Sequence, residues 1–121
     1  MENMKLNPTF ETPAVVLDSS LGKLEFVGRS LPEDTATFYR PILQWIEGYL
    51  ESPNIKTEIE IKLEYFNTAT SKVILSMLSK FKDSSNVTVH WFHHEEDEDM
   101  LESGKEFEEL VNIPFAYHTL E

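Results

Sequence analysis

The stretch from Ile55 to Tyr65 constrains the fold more than any other part of the chain. Its residues alternate without a break: Ile55, Thr57, Ile59, Ile61, Leu63 and Tyr65 on one side, Lys56, Glu58, Glu60, Lys62 and Glu64 on the other. Successive side chains of a strand point to opposite faces, so the pattern predicts a strand with one buried and one wet face. A strand covered by helices on both sides reads instead as a continuous apolar run. The charged side therefore argues against a doubly wound sheet and for a sheet with helices on one side only.

The flanking patterns supply the remaining elements. Ala14 to Asp18 and Lys23 to Val27 read as strands joined by the turn Ser19-Ser20-Leu21-Gly22. Phe38, Ile42, Trp45, Ile46, Tyr49 and Leu50 recur at helical spacing, and Ser52-Pro53-Asn54 stops the helix. Pro41 falls within that pattern. Proline is tolerated in a first turn but not in an interior, so either the helix begins near Thr37 or an earlier turn is kinked. Val73, Ile74, Met77, Leu78 and Phe81 mark a second helix ending near Lys82, and Val87, Val89 and Trp91 a strand. Met100, Leu101, Phe107, Leu110 and Val111 mark a third helix, and Phe115 to His118 a last strand. The expected order is β-β-α-β-α-β-α-β with right-handed parallel crossovers. This is an α/β two-layer sandwich, a mixed sheet of four to five strands with three helices mainly on one face. With 121 residues the chain forms one domain, 1–121, with Met1 to Glu11 loosely held.

Charge and composition exclude several functions. The net charge of −12 repels nucleic acid and anionic membranes. The chain has no cysteine, so thiolate metal sites and cysteine nucleophiles are ruled out. No segment approaches the roughly 20 apolar residues of a membrane span, and the first residues lack a signal-peptide pattern, so the cytoplasm is the expected location. Glu95 to Glu109 holds nine acids and one base, so that stretch alone supplies most of the negative charge. A partner with a basic groove is its natural counterpart.

Asn67-Thr68-Ala69-Thr70-Ser71 concentrates hydroxyls where the long strand ends and the second helix begins. Asn67 or Thr68 is expected to cap the helix. If Asn67 caps, Thr68 takes the first helical position with its hydroxyl outward. A phosphate there would meet the free N–H groups of a helix start and change the local charge by about −1.5 to −2. Thr70 and Ser71 are alternative acceptors.

Catalytic and metal motifs are weak. His93 and His94 precede Glu95, Glu96, Asp97, Glu98 and Asp99, but consecutive residues diverge and no EF-hand glycine is present. There is no Gly-x-Ser-x-Gly elbow and no glycine-rich phosphate loop. No cofactor is expected. Two further readings stand beside a phosphorylation-controlled module: a constitutive acidic adaptor or scaffold, and a small metal-dependent hydrolase built around His90 to Asp99.

Thr12-Pro13-Ala14, Gly22-Lys23-Leu24, Gly28-Arg29-Ser30-Leu31-Pro32-Glu33, Trp45-Ile46-Glu47, Tyr65-Phe66-Asn67-Thr68, Ser71-Lys72, Glu95 to Met100 and Ile113-Pro114-Phe115 together resemble the SiaC family of regulatory phosphoproteins. The resemblance runs from about Thr12 to Tyr117, and Tyr-x-Asn-Thr is its most specific part. It implies a STAS-like architecture and the partner-switching logic of anti-sigma-factor antagonists. It implies further that a cognate serine/threonine kinase phosphorylates Thr68, that a metal-dependent serine/threonine phosphatase reverses this, and that the unmodified protein binds and activates a diguanylate cyclase, controlling cyclic di-GMP output and biofilm behaviour. Thr70 stands where the family pattern leads one to expect serine. On this reading Tyr65, Asn67 and Ser71 shape the phosphosite loop, and Glu95, Glu96, Asp97 and Asp99 contribute to partner docking. The chain itself is then not an enzyme.

Overall fold

The alternating segment forms the fourth strand of a six-stranded mixed sheet. The structure, a computed structural model, describes residues 1–120. In chain order the elements are β1 (Met4–Leu6), β2 (Ala14–Asp18), β3 (Lys23–Ser30), α1 (Thr35–Tyr49), β4 (Thr57–Phe66), α2 (Thr68–Ser79), β5 (Val87–His94), α3 (Glu98–Val111) and β6 (Phe115–Leu120). The strands lie side by side in that same order. β1, β2 and β3 are antiparallel, while β3 to β6 are parallel. Each parallel step needs a long return path, and a helix supplies it each time.

Two expectations are corrected here. The sheet has six strands rather than four or five, and the order is β-β-β-α-β-α-β-α-β. The extra strand comes from the segment expected to be loosely held. Met4 pairs with Leu17 and Leu6 with Val15, and the Trp45 indole N–H donates to the Glu2 carbonyl at 2.8 Å. Three residues are too short for the period-of-two signal that reveals a strand in a sequence.

The helices share one face of the sheet. Val15, Leu24, Phe26, Ile59, Ile61, Val89 and Trp91 from the strands meet Ile42, Ile46, Ile74, Leu78 and Phe107 from the helices in one buried cluster. The opposite face carries charges in rows. Lys62 bridges Glu25 and Glu60 at 3.4 and 3.3 Å, Lys23 reaches Glu60 at 3.4 Å, and His90 lies between Glu58 at 3.0 Å and His118 at 2.9 Å. Such partly exposed pairs contribute little individually. Their consequence is a hydrated face that no helix covers.

Helix α1 begins at Thr35, capped by Asp34, whose carboxylate accepts the Thr37 N–H at 3.1 Å. The bonds from the Thr37 hydroxyl and N–H hold the Asp34 carboxyl below its usual pKa. Pro41 therefore lies past the first turn, inside an otherwise continuous helix. Ile55 falls before β4 and is exposed, since the strand begins two residues later at Thr57. Helix α3 presses closely on β5. A Cβ at Gly104 would lie 2.6 Å from the Trp91 ring, and the Trp91 indole N–H donates to the Met100 carbonyl at 2.9 Å. Gly104→Ala is therefore expected to lower stability by about 1–3 kcal/mol through overpacking. A urea titration followed by Trp fluorescence checks this.

Candidate functional site

The site begins with an irregularity in the sheet. In the β3–β4 ladder Gly28 pairs with Leu63, but the next pair is Arg29 with Tyr65. Glu64 is an extra residue, a β-bulge, and a bulge exchanges the faces for everything after it. Tyr65, expected on the buried side, is 48% exposed as a result. Phe66 turns inward instead and meets Trp91 edge-on at 6.2 Å. The strict alternation of the sequence conceals the bulge because both Glu64 and Tyr65 suit exposed positions.

Directly after the bulge the chain turns into α2. Asn67 is the cap: its side-chain carbonyl accepts the Thr70 N–H at 2.8 Å and its backbone carbonyl accepts the Ser71 N–H at 3.0 Å. Thr68 is the first helical residue and is exposed. Thr70 is fully buried. Its hydroxyl donates to the Ser30 carbonyl at 3.1 Å and lies 2.9 Å from the Ser30 hydroxyl. The Ser30 hydroxyl in turn lies 2.6 Å from the Tyr39 hydroxyl. Each hydroxyl has one proton, so the set is satisfied in one direction: Tyr39 to Ser30, Ser30 to Thr70, Thr70 to the Ser30 carbonyl. Burial, partly offset by the bond to Ser30, pushes the Tyr39 pKa up to about 12.

These placements separate the hydroxyls that the sequence left together. Thr68 is open to a modifying enzyme, while Thr70 is walled in and committed to the core, which corrects its reading as an alternative acceptor. Ser71 is half-buried and lines a groove with Lys72, Leu75, Ser103, Glu106, Phe107 and Leu110 between α2 and α3. A cleft of about 330 Å³ opens between the end of β4, just before the Asn67–Thr68 turn, and the start of α3. Asp97, Asp99 and Glu64 line it together with Tyr65. Asp97 also caps α3, accepting the Met100 N–H at 3.0 Å. Glu95 and Glu96 are exposed in the preceding turn and do not line the cleft.

The histidines are not where the hydrolase reading needs them. β5 runs on to His94, so His93 and His94 are strand residues with opposite directions. His93 is buried, with its ring Nδ1 2.9 Å from the His94 carbonyl. Among the described residues no three His, Asp or Glu side chains are grouped so as to hold a metal ion. No helix among them is long and apolar enough to cross a membrane.

Sequence reasoning overlooked Ser30 and Tyr39, which hold the loop from behind, and Arg29, which faces Tyr65 across the ladder. Spacing alone could not link Ser30 to Thr70, forty residues on. Thr70→Val is expected to cost about 1–3 kcal/mol, because it leaves a buried hydroxyl without its partner. The Ser30–Tyr39–Thr70 set also predicts an alkaline limit. Tyr39 keeps its proton to about pH 12 when folded but ionises near pH 10 when unfolded. Its contribution to stability is complete below pH 10 and is lost as pH rises toward 12. Urea titrations of wild type and Tyr39→Phe across this range check the sign: both keep the alkaline loss that comes from Tyr117, whose pKa burial and Glu108 also raise, and the wild type should lose more.

The comparisons with known proteins agree with this fold. The family model described as "SiaC family regulatory phosphoprotein" matches residues 6–120. An uncharacterized protein of Pseudomonas aeruginosa strain UCBPP-PA14 is 27% identical over 120 residues, covering 96% of this chain and 95% of that one. The crystal structure of diguanylate cyclase SiaD in complex with its activator SiaC from Pseudomonas aeruginosa contains a chain with the same fold. Its TM-score is 0.90 at 26% identity, over 97% of this chain and 99% of that one. Apo-SiaC from Pseudomonas aeruginosa matches with a TM-score of 0.84 at 28% identity, over 98% and 99% of the two chains. The chain therefore belongs to the SiaC family of regulatory phosphoproteins, and it is a regulator rather than an enzyme.

Proposed function

We propose that this protein is a phosphorylation-controlled partner switch whose unmodified form binds and activates a diguanylate cyclase. The observation that carries the reading is the likeness, along nearly the whole chain, to the activator SiaC as it sits in complex with the cyclase SiaD. Thr68 is the phosphoacceptor. It is supported by exposure, by its place at the first turn of a capped helix, and by the rigid backing from Ser30 and Thr70. A cognate serine/threonine kinase adds the phosphate and a metal-dependent serine/threonine phosphatase removes it, in the cytoplasm.

The physical basis of the switch is local. The start of α2 carries the positive end of the helix dipole and favours an anion. The cleft beside it, with Glu64, Asp97 and Asp99, disfavours one. A dianion at Thr68 thus changes the sign and shape of the surface at one point without altering the core. Asp97 and Asp99 share the cleft with Tyr65 and belong to the same docking surface, and Glu95 and Glu96 extend it.

Treatment with the cognate kinase and ATP, followed by intact mass and peptide mapping, should add one phosphate, on Thr68. Thr68→Ala should take up none yet still stimulate the cyclase. Phosphate found only on other residues would contradict the assignment. Binding and stimulation indifferent to phosphorylation would point to a constitutive acidic adaptor instead. Thr68→Asp should reproduce only part of the effect, since a carboxylate has less charge and fewer acceptor atoms than a phosphate.

A further inference from the structure

On the open face of the sheet, abreast of the Thr68 loop, Tyr65 forms a unit with two side chains that the proposed switch does not use, Arg29 and Phe10. Arg29 stands opposite Tyr65 in the β3–β4 ladder. Its guanidinium carbon lies 5.0 Å from the centre of the Phe10 ring and 6.0 Å from that of Tyr65. Both rings are unusually exposed for aromatics, Phe10 at 76% and Tyr65 at 48%. The Arg29 Nε is shut off from solvent and has no hydrogen-bond partner. Among the described residues no carboxylate lies within ion-pair distance of the guanidinium, although the chain has 22 acidic residues against ten basic ones.

Each of these facts is unfavourable or idle in the isolated chain. A buried donor without a partner costs free energy. Two exposed aromatic rings gain nothing from water. Together they have the composition of an interface hot spot, where aromatic residues and arginine are enriched. The rings hold the planar cation in one orientation, so less side-chain entropy is lost when an anion arrives. The unit is also tied to the phosphosite by the backbone. The Ser30 carbonyl accepts the Asn67 N–H at 3.1 Å. Arg29 immediately precedes one of those residues and Thr68 immediately follows the other.

We propose that Phe10, Arg29 and Tyr65 form the docking element for a carboxylate-bearing segment of the partner cyclase, and that a phosphate on Thr68 competes with that carboxylate for Arg29. The inference rests on the reading of Thr68 as the phosphoacceptor. A carboxylate matches the guanidinium fork with two parallel hydrogen bonds. Tyr65 also borders the cleft with Glu64, Asp97 and Asp99, so an anion is penalised anywhere on this surface except at the cation. Phosphate carries more charge than a carboxylate and a third acceptor oxygen. Attached to Thr68, it is tethered one residue from the Ser30–Asn67 bond, and on this proposal it takes over the guanidinium and repels the incoming carboxylate. The modified form loses the partner, which is the sign the switch requires.

The test is isothermal titration of the purified cyclase with unmodified and kinase-treated protein, for wild type, Arg29→Met, Arg29→Lys and Phe10→Ala, with circular dichroism melts as the folding control. Without phosphate, Arg29→Met should weaken binding roughly 30-fold or more and flatten its salt dependence. Arg29→Lys should recover part of the affinity, because it keeps the charge and loses the fork. Phe10→Ala, at a position too exposed to matter for folding, should weaken binding by a smaller factor. Phosphorylation should weaken binding less in Arg29→Met than in wild type, since the contested cation is gone. Wild-type affinity in both Arg29→Met and Phe10→Ala overturns the docking element. An equal phosphorylation effect in wild type and Arg29→Met overturns the competition. A wild type whose affinity is unchanged by phosphate on Thr68 overturns the parent reading instead, so the two failures are distinct.

Discussion

The hydroxyl chain from Tyr39 through Ser30 to Thr70 is the interaction on which the functional surface depends. It ties together three elements: the end of β3, the first half of α1 and the first turn of α2. The Ser30 carbonyl closes the chain and also accepts the Asn67 N–H, so both of its lone pairs are used. A buried polar network of this kind is costly when incomplete and rigid when complete. Here it is complete. The consequence is that α2 starts at one defined place, with Thr68 outside and Thr70 inside.

The bulge at Glu64 performs the matching task on the other side of the loop. Without it, Tyr65 would be directed into the core and Phe66 toward solvent. The one-residue shift gives the core an aromatic ring against Trp91 and gives the surface a tyrosine beside Arg29. Bulges are common next to functional sites because they redirect a side chain without disturbing the rest of the sheet. The Thr68 loop is thus gripped from inside by hydroxyls and framed from outside by an aromatic–cation cluster.

The central sheet and all three helices were legible in the sequence because each rests on a periodic apolar pattern. Ile59, Ile61 and Leu63 announced a one-sided strand, and the charge rows of Lys62, Glu60 and His90 follow from it. The helix start was legible as a cap at Asn67 or Thr68, with an outward Thr68 following if Asn67 caps, since capping is a local matter. What could not be read was non-local or non-periodic. β1 is too short to show alternation, and it is recognisable only once Met4 is seen beside Leu17. The bulge hides because its extra residue keeps the polar–apolar alternation intact. Thr70 and Thr68 are chemically alike in a string of letters, and only Ser30, forty residues earlier, decides which one is buried. The role of Arg29 is of the same kind, set by a register shift that no spacing rule reveals.

The central claim is that one exposed hydroxyl, placed by a buried network, decides which partner the surface accepts. The affinity of the purified diguanylate cyclase for the protein, measured before and after stoichiometric phosphorylation of Thr68, tests it most directly. A fall of at least about tenfold, or 1.4 kcal/mol, with the fold unchanged by circular dichroism is the predicted result. Equal affinity of the two forms would contradict it.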